Sequence, residues 1–161
     1  MDRFLKLDIP YFKSIEIRHL VFDLNGTLAK DGLLLEGVEE RLKKLAEIFN
    51  IYILTADTNN TIASLSYLNE FGINTARLES SRGDIQKLRF IEELGAYHCA
   101  TFGNGGNDVL MLKNACLGVC IIGLEGAAFD AMQASDIVFF DINDALDAFL
   151  KPTRLIASLR R

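Results

Sequence analysis

The stretch His19-Leu-Val-Phe-Asp-Leu-Asn-Gly-Thr27 decides the fold. Its nearly continuous apolar start is what a strand covered on both faces requires. A carboxylate, Asp23, follows at once, and Asn25-Gly26 then turns the chain. Outward from this segment the same grammar repeats. Strands are expected at Ile17–Leu24, Ile51–Thr55, Ile73–Leu78, His98–Phe102, Gly118–Ile122 and Ile137–Phe140.

Helical stripes lie between them. Val38, Leu42, Leu45 and Phe49 keep one face, with Glu39, Glu40, Lys43 and Lys44 opposite. Ile62, Leu65 and Leu68 precede Gly72, and Ile85, Leu88, Ile91 and Leu94 run from an expected N-cap at Asp84 to a stop at Gly95. Weaker stripes cover residues 108–116, 127–133 and 142–149, and Pro152 interrupts the last helical stretch. Strands alternating with helices predict an α/β fold: one doubly wound, mostly parallel, Rossmann-like sheet. The residues before His19 are expected to add a short edge element.

Composition sets the outer bounds. The 161 residues are 50% hydrophobic and 24% charged, with two prolines, which excludes a disordered or low-complexity chain. A length of this order suits one domain, expected over residues 1–161. The net charge of −5, with no basic run longer than Arg160-Arg161, argues against a nucleic-acid partner. No run of about 18 apolar residues occurs, so no membrane span is expected. Cys99, Cys116 and Cys120 lack CxxC spacing and read as small core residues. A soluble, cytoplasmic protein is the expectation.

Ligands of open α/β sheets bind outside the carboxyl ends of the strands. Three polar segments fall at that edge: Asp23-Leu-Asn-Gly-Thr27, Leu54-Thr-Ala-Asp57 and Phe102-Gly-Asn-Gly-Gly-Asn-Asp108. Asp23 reads either as a turn residue or as a nucleophilic or metal-binding carboxylate on a rigid strand end. Three glycines in Gly103–Gly106 form either a flexible turn or a close approach of backbone amides to an anion. The segment departs from a dinucleotide-binding GxGxxG at Asp108, and Asp23-Leu-Asn25 lacks the later ligands of a calcium loop. Lys87 reads either as a solvated lysine in the first turn of its helix or as a cation aimed at an anionic ligand.

Taken together, Val21-Phe-Asp-Leu-Asn-Gly-Thr-Leu28, Leu54-Thr55, Lys87 and Gly103–Asp108 resemble the four motifs of the haloacid dehalogenase superfamily of phosphotransferases. Within it, Asn25-Gly-Thr-Leu-Ala29 and Lys151-Pro-Thr-Arg-Leu-Ile-Ala-Ser-Leu-Arg160 are similar to the small soluble relatives of the P-type ATPase phosphorylation domain. The resemblance implies that Asp23 forms an aspartyl-phosphate and that Gly26, Thr27, Thr55, Ala56, Lys87 and Asn107 surround the phosphoryl group. It implies weakly bound Mg²⁺ on Asp23, Asn25, Asn104 and Asp108, and a small phosphorylated substrate. The intervals 28–50 and 56–86 are too short for a separate cap domain, so the site should be open or covered by a second copy in a homo-oligomer.

Two departures bear on rate. Asn25 stands where the family has its general acid and base, and Asn104 stands where it has a metal-binding aspartate. An amide cannot shuttle a proton, a service typically worth about 10²–10⁴-fold. Low turnover is therefore expected. Two other functions compete: a catalytically silent module that binds a protein partner or phosphorylated ligand, and a phosphoacceptor receiver. The receiver lacks its early acidic pair, since Tyr11–Ile17 offers only Glu16.

Overall fold

The computed structural model describes residues 2–56, 60–79 and 81–161. Six strands form one parallel sheet in the order β10-β9-β8-β3-β6-β7. They are β3 (His19–Asp23), β6 (Asn50–Thr55), β7 (Ile73–Arg77), β8 (Cys99–Gly103), β9 (Leu117–Ile121) and β10 (Ile137–Phe139). Every residue of β8 and β9 is buried, as the apolar runs demand of strands covered on both faces. The chain leaves β3 toward β6 and β7, then returns to the other side of β3 with β8. The crevice at this change of direction opens above the carboxyl ends of β3 and β8.

Helices cover both faces. On one, α1 (Val38–Leu45) packs on α6 (Ile142–Leu150), and Phe22, Phe49, Phe102 and Phe149 share the core between them and the sheet. Phe22 and Phe102 stack at 4.2 Å, adding shape to the apolar burial. On the other face α3 (Gly83–Leu94) packs on α4 (Val109–Asn114), and α4 on α5 (Phe129–Ala134). Val21, Leu54, Ile91, Cys99 and Met111 form the core there. Six-residue α2 (Asn60–Leu65) packs against β7. A seventh helix, α7 (Thr153–Leu159), begins after Pro152, which breaks the helical run as expected.

Three local expectations need correction. The segment before His19 is an antiparallel hairpin, β1 (Leu5–Ile9) and β2 (Lys13–Ile17), and it forms its own sheet rather than an edge of the main one. Ile17 therefore belongs to β2, while β3 begins at His19. Asp84 is not the N-cap of α3. The helix starts one residue earlier, and Asp84 sits in its first turn, paired with Arg82. A second small hairpin, β4 (Ala29–Lys30) and β5 (Leu33–Leu34), was not legible in so short a pattern.

The cysteines behave as core residues. All three are thiols, and burial pushes Cys99 and Cys116 up to about 12 and Cys120 to about 11, which removes reactive thiolate at neutral pH. Among the described residues no helix is long and apolar enough to cross a membrane.

Candidate active site

Asp23 is the last residue of β3 and lies opposite Leu54 of β6. Its predecessor Phe22 pairs with Phe102 of β8, so Gly103 leaves the sheet beside it. Parallel register thus brings Thr55 to one side of Asp23 and the Gly103–Asp108 loop to the other. Thr55 is buried. Gly103 is demanded by packing: a Cβ there would lie 2.5 Å from Cγ of Asp108.

Lys87 is not a solvated lysine. It is the fifth residue of α3, past the first turn, and only 1% exposed. Its Nζ donates to Asp23 Oδ1 and to Asp108 Oδ1, each at 2.7 Å. Asp108 is fully buried, and its Oδ2 accepts from the backbone N–H groups of Asn104 and Gly105 at 3.0 Å. One cation therefore serves two carboxylates; Asp108 adds two backbone N–H donors, and Asp23 adds the Leu24 backbone N–H and a long contact from the Thr27 hydroxyl. Asp23 is left as the less compensated charge. Burial first, and Asp108 second, raise its carboxyl to about 6 despite Lys87. The same two carboxylates push the ammonium of Lys87 up against the opposing effect of burial.

The turn after Asp23 is tightly specified. Gly26 has φ of 82°, and its N–H donates to Ala29 O at 2.8 Å. A side chain on Gly26 would collide with Asn104 and approach Glu125 Oε2 at 2.7 Å. Asn25 accepts from Gly32 N–H through Oδ1 at 2.8 Å, which ties it to the β4–β5 hairpin. Buried Thr27 sits between two oxygens, its Oγ1 3.5 Å from both Asp23 Oδ2 and Asn104 Oδ1. Asn104 Nδ2 donates to Gly126 O at 3.0 Å, which fixes the amide so that its oxygen is the atom on the Thr27 side.

This donor set fits a hard divalent cation held by few charges. Asp23 Oδ2 and Asn104 Oδ1 are oxygen donors served by one shared hydroxyl at long range. No cluster of three or more His, Cys, Asp or Glu suited to a metal occurs among the described residues. Both Asp108 oxygens are already engaged, so any contribution there passes through water or rearrangement.

The remaining expected residues are placed less tightly. Ala56 is half-buried just past β6, and Asn107 is exposed beside the start of α3, its Nδ2 3.8 Å from where a Cβ on Gly83 would stand. Asp57 lies outside the described residues. Sequence reasoning missed Glu125 and the Gly123–Gly126 turn. The same strand-end rule applied to β9 would have found them, since glycines flank Leu124-Glu125 at the carboxyl edge.

The fold is that of the haloacid dehalogenase phosphatases in a form without a cap layer among the described residues. 3-Deoxy-D-manno-octulosonate 8-phosphate phosphatase from Moraxella catarrhalis, in complex with magnesium, phosphate and KDO, superposes with a TM-score of 0.63 at 16% identity over 89% of this chain and 94% of that one. A putative enzyme of the same name from Vibrio cholerae gives 0.67 at 15% identity, covering 91% and 94%. Phosphoserine phosphatase in apo form gives 0.60 at 16% identity, covering 84% and 98%.

By sequence, the chain belongs to the family of the uncharacterized protein MJ0073 of Methanocaldococcus jannaschii, with which it is 50% identical over 80 residues, 47% of this chain and 86% of that protein. The uncharacterized protein MJ0072 of the same organism is 58% identical over 40 residues, 25% of this chain and 91% of that protein. No family model matches the chain.

Proposed function

We propose that the chain is a slow, Mg²⁺-dependent phosphohydrolase or phosphotransferase that carries the phosphoryl group on Asp23. The observation that supports it most is the buried Lys87, 2.7 Å from both Asp23 and Asp108 at the mouth of β3. A structural lysine seldom occupies such a place, because burying its charge is costly unless partners and function require it.

In this reading Asp23 attacks phosphorus as the P–O bond to the leaving group breaks, and the electron pair departs on that oxygen. Thr55 and Lys87, with the backbone of Gly26, Thr27 and Ala56 and the side chain of Asn107, hold the phosphoryl oxygens. Water then attacks the aspartyl-phosphate, releasing phosphate and restoring the carboxylate. Neither step receives a proton from Asn25, whose amide is too weak an acid to give one and whose oxygen accepts from Gly32 N–H. Asp23, the backbone carbonyl of Asn25, Asn104 and Asp108 would hold Mg²⁺, which would supply charge to offset that of the transferring group.

Beryllofluoride tests this reading, because it mimics a phosphoryl group on a carboxylate. Added together with Mg²⁺, it is expected to raise the melting temperature by several degrees, and neither addition alone should do so. Asp23→Asn should abolish the shift. An unchanged melting curve for the native chain would sink the proposal.

The fixed amides of Asn25 and Asn104 favour one alternative, a silent module that binds phosphorylated ligands without turning them over. Asn25→Asp combined with Asn104→Asp separates the two. On the catalytic reading the pair raises an existing Asp23-dependent rate roughly tenfold or more. On the silent reading the native rate equals that of Asp23→Asn.

A further inference from the structure

Beside the phosphoryl site lies a cleft of about 360 Å³ that shares Gly26 and Thr27 with it. This size lies within the usual range for a small organic ligand. Its walls come from the turn after β3, the turn after β9 and the segment joining β10 to α6. Leu35, Ile121, Ile122 and Ile142 make them apolar. Leu124 and Phe140 stand at the lip, 74% and 82% exposed, large side chains kept in water beside a cavity.

The charge around the cleft is one-sided. Glu36, Glu125 and Asp141 line it against the single ammonium of Lys30. The wall offers a further acceptor: Asn143 commits Nδ2 to Glu36 O at 2.8 Å, and its buried Oδ1 has no partner among the described residues. A carboxylate or a second phosphate entering here would meet repulsion and few donors. A flat apolar group, neutral or cationic, would remove apolar wall from water at no such cost.

The chemistry at Asn25 narrows the choice further. With no proton available from that side chain, the leaving oxygen departs as an anion and takes its proton from solvent. This disfavours simple alkyl alcohols and suits an oxygen that is already stable as an anion, such as a phenol's.

We propose that this cleft holds the organic part of the substrate, and that it selects aryl phosphates whose aromatic body carries no negative charge. The proposal rests on Asp23 being the phosphoryl acceptor, and it adds the substrate class to that reading. Phosphorus passes from the aryl oxygen to Asp23 and then to water. The products are the phenol, protonated from solvent, and inorganic phosphate.

The test compares 2-naphthyl phosphate, 4-carboxyphenyl phosphate and acetyl phosphate on the native chain and on Leu124→Ala/Phe140→Ala. Acetyl phosphate is activated but too small to fill the cleft, so its Asp23-dependent turnover reports on phosphotransfer alone. For the native chain, kcat/KM for naphthyl phosphate should exceed that for the carboxyphenyl ester by about tenfold or more. The double variant should lower it by about tenfold and leave acetyl phosphate unchanged. Equal use of the two aryl esters, or a variant without effect on naphthyl phosphate, overturns the proposal. If acetyl phosphate is not turned over, the phosphotransfer reading has failed instead. Calorimetric binding of naphthyl phosphate then decides the cleft: a tenfold weaker Kd in the double variant supports it, and unchanged or absent binding refutes it.

Discussion

Asp23→Asn is expected to abolish enzyme-dependent phosphate release and, at neutral pH in metal-free buffer, to make the protein more stable. The two effects share one cause. A carboxylate at the buried mouth of β3 is the group that would attack phosphorus, and it is also a charge with too little compensation. Folding raises the Asp23 carboxyl from its ordinary 3.8 to about 6. Below about pH 4 both folded and unfolded chains hold the proton. Between there and about pH 6 the folded chain keeps a proton that the unfolded chain has released, so stability falls as pH rises through this window. Above it the loss is complete, on the order of 1–3 kcal/mol.

Asparagine removes that loss, because it is neutral at every pH. Thermal melts from pH 4 to 8 with a chelator present should therefore show the variant gaining on the native chain between about pH 4 and 6, by a few degrees at the plateau. A variant whose advantage over the native chain is no greater at pH 7 than at pH 4 would show that Asp23 is well compensated.

Lys87→Met is expected to have the opposite effect on stability, with a loss of about 3–5 kcal/mol in urea unfolding at pH 7 and loss of turnover. Methionine fills much the same apolar path along α3 but leaves Asp23 and Asp108 facing each other without their shared cation. The raised pKa of Lys87 keeps its contribution intact at neutral pH, since it would be lost only as pH rises through the folded value, above the ordinary 10.5. The pH dependence separates charge from packing. As pH falls and Asp23 protonates, the cost of Lys87→Met should shrink, whereas a packing defect would cost the same throughout.

Combining Lys87→Met with Asp23→Asn guards against a variant that does not fold. The double substitution should recover part of the stability, because one of the two uncompensated carboxylates is gone. Strict additivity of the two changes would argue against the contact that the 2.7 Å distances describe.

Much of this molecule follows from the sequence alone. The six strands of the main sheet were legible because apolar runs of four or five residues bounded by polar turns have few other uses. The order of the strands and polar segments places Asp23, Thr55 and the Gly103–Asp108 loop at one edge of the sheet from the sequence alone. Short elements were not legible in this way. The two-residue strands β4 and β5 carry no periodicity, and the hairpin before His19 could be read as an edge because sequence does not reveal which sheet a strand joins.

Tertiary structure decided the electrostatics. From sequence Lys87 read either as a solvated lysine or as a cation aimed at a ligand, because the stripe of Ile85, Leu88, Ile91 and Leu94 orients α3 but does not show what the inner end of that face meets. Packing of α3 on the sheet turns it inward and sets it between two carboxylates from β3 and from the loop after β8. The same holds for the cleft beside Thr27, whose walls come from segments a hundred residues apart. Local residue types specify the elements, but burial and partner distance are properties of the assembled sheet. Those two quantities determine the charge state of Asp23 and what can lie beside it.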